Sequence, residues 1–193
     1  MVAALLDYLP GPRDKALLLT GFAGAFRRSE IVGLQVRDVQ IGDVGLIVTL
    51  RRSKTDQEGA SFTKGIPIGT SEATCPKYAL EAWLQLAAIS TGPIFRPIDR
   101  SGHVGTHALS SLGVARAVKR ALTAIDVDTT AYSGHSLRAG LVTAAAMAGV
   151  SERVIMQQTG HKNTVVRPIN WPGRYVRILP QGGTAAARGR LYS

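Results

Sequence analysis

Apolar residues recur at helical spacing along most of the chain, and they predict a mainly helical body. Proline or a small polar residue precedes several of these runs, as is typical of helix starts. A further short helix is expected to begin with Ser29 as its N-cap and Glu30 in its first turn. The longer helices are predicted over 14–26, 76–88, 110–125, 137–148 and 152–158.

Two stretches break the helical pattern. Residues 44–50 and 61–68 are rich in β-branched and apolar residues, and the polar segment 53–59 separates them. We therefore expect a β-hairpin or small sheet there, and a loop over 92–107, where Pro and Gly are frequent. The predicted fold class is mainly α with a small antiparallel β-sheet (α+β).

The length of the chain predicts one compact domain. Its 193 residues are enough for one well-buried core, and no long Pro/Gly/Ser-rich linker divides them before residue 178. We assign 1–177 to this domain. The segment 178–193 is rich in Gly, Ala and Arg, so we expect it to be a mobile basic tail.

The charge balance favours a polyanionic partner. Lys and Arg number 23 against 13 Asp and Glu, giving a formal charge of +10. Nucleic acid is the leading partner class, although a merely basic soluble surface would have the same composition. One cysteine, Cys75, and no signal-peptide pattern predict a cytoplasmic protein. The apolar runs are too short to span a membrane, so no membrane role is expected.

Two arginines are placed where they could bind a phosphate. Arg27 lies just before a predicted helix, although an arginine there is often simply solvated. In 133–138, Ser136 is the expected N-cap of the next helix, with Arg138 in its first turn. His135 and Arg138 would then face one anion as a proton donor and a cationic fork, unless both are ordinary surface residues.

The other chemically competent residues are weaker signals individually. His161 follows a helix-ending Gly160, and Lys54 lies between the two predicted strands. The four histidines and one cysteine lack the spacing of a metal site, and no glycine-rich nucleotide loop occurs. No cofactor is therefore expected. Phosphate chemistry would depend on cationic side chains for charge stabilisation.

Taken in order, these residues resemble the catalytic set of the tyrosine recombinases, the phage integrase family. The stretch 26–31 with Leu34 and Asp38 resembles the first arginine box, and 134–140 resembles the His-x-x-Arg box. Residues 160–162 resemble the third box, and 53–55 resemble the lysine hairpin. The resemblance runs from about residue 4 to His161, and the 23 residues from Arg138 to His161 suit the family.

The resemblance implies the recombinase catalytic-domain fold and a two-step transesterification on double-stranded DNA, without metal, ATP or a small-molecule substrate. A tyrosine would attack the scissile phosphate and form a 3′-phosphotyrosyl link, which a second strand then resolves. Arg27 and Arg138 would hold the non-bridging oxygens. His135 and His161 would hydrogen-bond or handle the nucleophile's proton. Lys54 would protonate the leaving 5′-oxygen, and Glu30 would orient its neighbours.

The sequence departs from the family at the nucleophile. Asn170 stands where the family usually carries its tyrosine, and Tyr175, in an Arg-Tyr-Val-Arg context, lies 14 residues after His161. Pro168 and Pro172 would interrupt a helix there. Either an insertion loops out and returns Tyr175 to the site, or the final segment is disrupted.

The rival functions follow from this departure. One is a DNA-binding remnant of an integrase that cannot cut DNA, and another is a type IB topoisomerase. The family usually carries an N-terminal core-binding domain, which we expect to be absent here. Family members assemble as tetramers on DNA, but the tail offers no clear docking helix, so the isolated domain's oligomeric state stays open.

Overall fold

The computed structural model describes residues 11–50, 62–130, 132 and 136–160. Within these residues the chain is mainly helical with one small antiparallel sheet, which confirms the predicted fold class. Short 3-10 turns cover Val36–Asp38 and Glu72–Thr74. The described α-helices are α1 Pro12–Ala23, α2 Arg28–Gly33, α3 Pro76–Leu86, α4 Ser111–Thr123, α5 Ser136–Met147 and α6 Glu152–Thr159.

The helix ends follow from local chemistry. Proline begins α1 and α3, where its missing N–H costs no helical hydrogen bond. Ser110 caps α4, because its hydroxyl accepts the N–H of Gly113 at 3.1 Å. Helix α6 ends at Thr159 and is followed by Gly160, whose left-handed φ of 68° suits glycine. The expected helix 152–158 is therefore confirmed.

Two predicted N-caps are wrong, because both residues lie inside helices. Arg27, not Ser29, is the N-cap of α2, because Glu30 in the first turn accepts the main-chain N–H of Arg27. Ser29 therefore lies inside the helix. Ser136 lies within the described helix α5, so it is a helical residue and not the cap. Arg138 nevertheless lies in the first turn, as predicted.

Among the described residues, the sheet has three antiparallel strands in the order β1-β2-β3, one more than predicted. These are β1 Val39–Gly42, β2 Gly45–Leu50 and β3 Phe62–Pro67. In the central pairing, Val48 of β2 lies opposite Lys64 of β3. Glycine is required at Gly45, whose φ is 140° and where an added Cβ would lie 2.1 Å from the Ile66 carbonyl oxygen.

Helix α1 is central to the core. It packs against α3, α4 and α5, and β2 packs against α3. The loop predicted over 92–107 is confirmed as a connection without helix, and it contributes the buried Ile94 and Phe95. The largest fully buried side chains are Trp83, Phe26, Phe95, Leu17, Ile31, Leu34, Leu46, Ile66 and Leu80.

Two buried polar groups reinforce this core. The carboxylate of Asp14 on α1 accepts from Arg13 and from Arg120 of α4, both at 2.7 Å, so it ties the two helices together. The thiol of Cys75, directly before α3, is fully buried and accepts the N–H of Gly69 at 3.2 Å. None of the described helices has the length and apolarity to cross a membrane.

Candidate active site

The candidate site is built around the chain reversal that follows α1. The N–H groups of Ala25 and Phe26 bond back to the carbonyls of Phe22 and Gly21, at 3.0 Å each, which is the pattern of a Schellman motif. Ala25 occupies the left-handed position with φ of 48°. This reversal directs the carbonyls of residues 23–25 toward other elements, and we call these three residues the carbonyl turn.

Three side chains from other elements donate to the carbonyl turn. Gln158 of α6 donates to Ala23 at 3.0 Å and Lys64 of β3 donates to Gly24 at 2.7 Å. Arg138 of α5 donates to Ala25 at 3.0 Å. A helix C-terminus carries unpaired carbonyls and partial negative charge, so cationic donors suit this position. The carbonyl turn therefore joins α1, β3, α5 and α6 at one point.

Arg27 follows the carbonyl turn directly and is held by Glu30. One carboxylate oxygen accepts the main-chain N–H of Arg27 at 2.8 Å, and the other accepts its guanidinium at 2.7 Å. The Glu30 side chain is buried, whereas that of Arg27 is 31% exposed. Glu30 thus fixes the position of Arg27, and the Arg27 side chain is still accessible at the surface, as binding of a ligand requires.

Arg138 is buried and fixed on two sides. Besides Ala25, its guanidinium donates to the carbonyl of Thr159 at 2.6 Å, which links the start of α5 to the end of α6. Burial, and then the charge of Arg27, lowers the pKa of Arg138, while Glu30 opposes that shift. Arginine ionises so far above neutral pH that the side chain stays charged. The two arginines are therefore close enough for the charge of Arg27 to affect Arg138.

Sequence reasoning missed Lys64 and Gln158. Lys64 would ordinarily be an exposed lysine, yet it is 2% exposed and lies with Ile66 on the inner face of β3. The available signal was the two-residue period of a strand, because residue 64 lies on the same face as the apolar Ile66. Gln158 carried no comparable signal, because its partners are far away in the sequence.

The described part of the site contains three of the residues predicted from the sequence. Arg27, Glu30 and Arg138 lie together around the carbonyl turn. Lys54, His135, His161 and Tyr175 lie outside the described residues, as do Asn170 and the segment 178–193. Their places in the site stay predictions.

The arrangement suits an anionic ligand. Three cationic side chains, Arg27, Lys64 and Arg138, lie near one carboxylate, so positive charge is in excess. Fixed, partly desolvated cations stabilise developing negative charge without reorganising. No group of three His, Cys, Asp or Glu side chains suited to a metal occurs among the described residues.

The family model and the curated proteins that match this chain are all integrases or recombinases. The model of the phage integrase family matches residues 2–167. An integrase/recombinase xerD homolog of Selenomonas ruminantium is 43% identical over 165 residues, covering 84% of this chain and 48% of that protein. Recombinase cre of Escherichia phage P1 is 27% identical over 190 residues, covering 91% and 52%. The chain thus spans about half the length of these curated relatives.

Solved structures show the same fold at low sequence identity. A XerH site-specific recombinase bound to difH substrate in a pre-cleavage complex aligns with a TM-score of 0.63 and 13% identity, covering 84% of this chain and 45% of that chain. A lambda integrase dimer bound to a COC′ core site aligns with a TM-score of 0.56 and 19% identity, covering 91% and 60%.

Proposed function

The chain belongs to the phage integrase family, and from this premise we propose that it is the catalytic domain of a site-specific DNA recombinase. The observation that carries the proposal is the meeting of the two arginine boxes. Arg138 bonds to Ala25, 113 residues earlier in the chain and two residues before Arg27. A pair of fixed guanidinium groups is suited to the non-bridging oxygens of one phosphodiester.

The proposed reaction is a transesterification at phosphorus. The Tyr175 hydroxyl forms the new O–P bond while the bond to the 5′-oxygen breaks, which leaves a 3′-phosphotyrosyl link and a free 5′-hydroxyl. His135 and His161 hydrogen-bond the phosphate or take the tyrosine proton, and Lys54 gives a proton to the leaving oxygen. Because the phosphotyrosyl link conserves the bond energy, the second strand's hydroxyl can reverse the step without ATP or metal.

The described residues would stabilise the transition state. Negative charge increases on the non-bridging oxygens as the phosphorus is attacked, and Arg27 and Arg138 would take it up. Glu30 would keep the Arg27 guanidinium in place through the two hydrogen bonds it accepts. Replacing either arginine by alanine is expected to slow cleavage by roughly 10²–10³-fold.

The remaining parts of the proposal concern the whole protein. We place the catalytic domain at 1–177 and a basic tail at 178–193, with double-stranded DNA as the partner, a homo-tetramer as the working assembly and the cytoplasm as the site of action. A formal charge of +10 supports DNA binding. Phosphate contacts release counterions, so binding should weaken as salt concentration rises.

Capture of covalent protein–DNA adducts tests the proposal and does not require a defined target site. The tagged protein is incubated with a pool of nicked duplexes that carry a randomised segment, and DNA that stays attached in SDS is sequenced. We expect adducts with the natural chain and none with Tyr175→Phe. An adduct that persists in Tyr175→Phe would remove Tyr175 from the nucleophile role.

The same experiment weighs the second candidate, a DNA-binding remnant that cannot cut. The amide at Asn170, where the family carries its tyrosine, favours that candidate because an amide cannot attack phosphorus. Salt-sensitive binding without any covalent adduct would support it against the recombinase. Relaxation of supercoiled plasmid without exchange of strands would instead indicate a topoisomerase.

A further inference from the structure

Lys64 is a buried cation that the proposed reaction does not use. Its ammonium donates to the carbonyls of Gly24 at 2.7 Å and Ala25 at 3.3 Å, 40 and 39 residues away in the sequence. It lies 4.7 Å from the centre of the Phe26 ring and 5.9 Å from that of Phe62. Lysines are almost never fully buried unless paired, so these contacts offset a real cost of desolvation.

The charged groups around Lys64 are those of the candidate site. The pKa of Lys64 is lowered from its ordinary 10.5 to about 8, chiefly by burial; Glu30 opposes this shift, and the charges of Arg138 and Arg27 add to it. Lys64 is therefore electrostatically coupled to both arginines. Its protonation therefore changes around pH 8.

Lys64 and Arg138 share one acceptor. The carbonyl oxygen of Ala25 accepts from Lys64 at 3.3 Å and from Arg138 at 3.0 Å. A second donor on the same oxygen fixes where that oxygen lies, and the oxygen in turn fixes one edge of the guanidinium. The bond from Lys64 to Gly24 restrains the same turn one peptide earlier.

We propose that Lys64 is a positioning residue for the strand-transfer site, holding the carbonyl turn so that the guanidinium groups of Arg138 and Arg27 point at one phosphate. This inference rests on the proposed function for its catalytic consequence. The placement of the two arginines, however, is a property of the protein that can be measured without any reaction.

The test compares the natural chain with Lys64→Met, which removes the charge and the donors but keeps a similar length, and with Lys64→Arg. Lys119→Met is the matched control, since Lys119 is an exposed lysine of α4 away from the carbonyl turn. The first readout is the ¹⁵N NMR signals of the Arg27 and Arg138 guanidinium groups in arginine-labelled protein, followed across the pH range around 8.

We expect the guanidinium signals of the natural chain to shift with a midpoint near pH 8 and those of Lys119→Met to follow them. In Lys64→Met the midpoint should vanish and the Arg138 signal should move or broaden. Arginine signals that are unchanged in Lys64→Met, or a midpoint that survives in it, would overturn the inference. Should Lys64→Met fail to fold, a midpoint near 8 that persists in Lys64→Arg would overturn it equally.

The second readout is the rate of adduct formation on the captured DNA. We expect Lys64→Met to lower the maximal rate by 10- to 100-fold, since misplaced groups cost about that much, with a smaller change in the DNA concentration giving half the maximal rate. The slow rate should lose its dependence on pH near 8. Absence of adducts in the natural chain would count against the proposed function, whereas normal rates in Lys64→Met would count against Lys64 alone.

Discussion

The core around α1 and the α5–α6 pair are held together by different forces. Around α1, large side chains such as Trp83, Phe26 and Leu17 are fully buried. In α5 and α6 the buried residues are Leu137, Arg138, Ile155 and Thr159, two of them polar. Apolar residues on this pair stay exposed, with Met147 at 55% and Val154 at 51%.

This contrast shows which interactions fix the orientation of the side chains in the candidate site. Apolar burial is strong but not directional, so it fixes the core without fixing a guanidinium. Leu137 of α5 packs in the apolar core, and the α5–α6 pair adds directed hydrogen bonds from Arg138 and Gln158 to the carbonyl turn. Hydrogen bonds are weaker overall but specify orientation, and the site lies where the two kinds of attachment meet.

The largest effect should come from the core. Trp83→Ala removes a fully buried indole and its 2.9 Å hydrogen bond to the Ile94 carbonyl. We expect the free energy of unfolding to fall by about 3–5 kcal/mol, the range for large-to-small aromatic changes in cores. Urea denaturation followed by circular dichroism measures this. Val154→Ala on exposed α6 is the control, and a similar loss in both variants would erase the contrast between the regions.

An intermediate effect should appear as a dependence of stability on pH. Because the pKa of Lys64 falls from 10.5 to about 8 on folding, the unfolded chain binds more protons between these values. Stability contributed by Lys64 therefore rises from pH 8 to 10.5, by roughly 3 kcal/mol at about 1.4 kcal/mol per pKa unit.

The measurement that isolates Lys64 is the urea midpoint near pH 7 and near pH 10 in two proteins. Other groups also titrate in this interval, so the quantity of interest is the rise in the natural chain minus that in Lys64→Met. Equal rises in the two proteins would mean that Lys64 is not desolvated in the folded state.

The smallest effect should come from the directed contacts of α6. Gln158→Leu removes the donor to the carbonyls of Ala23 at 3.0 Å and Gly65 at 3.2 Å. We expect a loss of about 1–2 kcal/mol, the usual cost of leaving a partly buried acceptor unpaired. Gln157→Leu, at the exposed neighbouring position, is the control. Equal unfolding midpoints for the two variants would show that the amide contacts do not attach α6.

Local sequence signals were sufficient for most of the helices. Cys75-Pro76 before α3, Ser110 before α4 and Gly160 after α6 act through atoms within a few residues, so they could be read from the sequence. Strand β1 could not be predicted from the sequence in this way. It has four residues, including Gln40 and Gly42, and it is a strand only because β2 pairs with it.

The residues of the site also differ in whether local sequence could predict them. Arg27 and Arg138 were predicted because each lies in a recognisable motif, and Glu30 because it follows Arg27 in the first box. The burial of Lys64 depends on the carbonyls of Gly24 and Ala25, which only the folded chain brings to β3. The same holds for Gln158, whose acceptors belong to α1 and β3.

The buried thiol of Cys75 gives this protein an internal reporter. It is the single cysteine of the sequence, is fully buried, and lies between the sheet and α3. A thiol reagent can therefore reach it only when the start of α3 separates from the strand connection. The labelling rate therefore reports how readily the start of α3 separates from the strand connection, and it does so without denaturant.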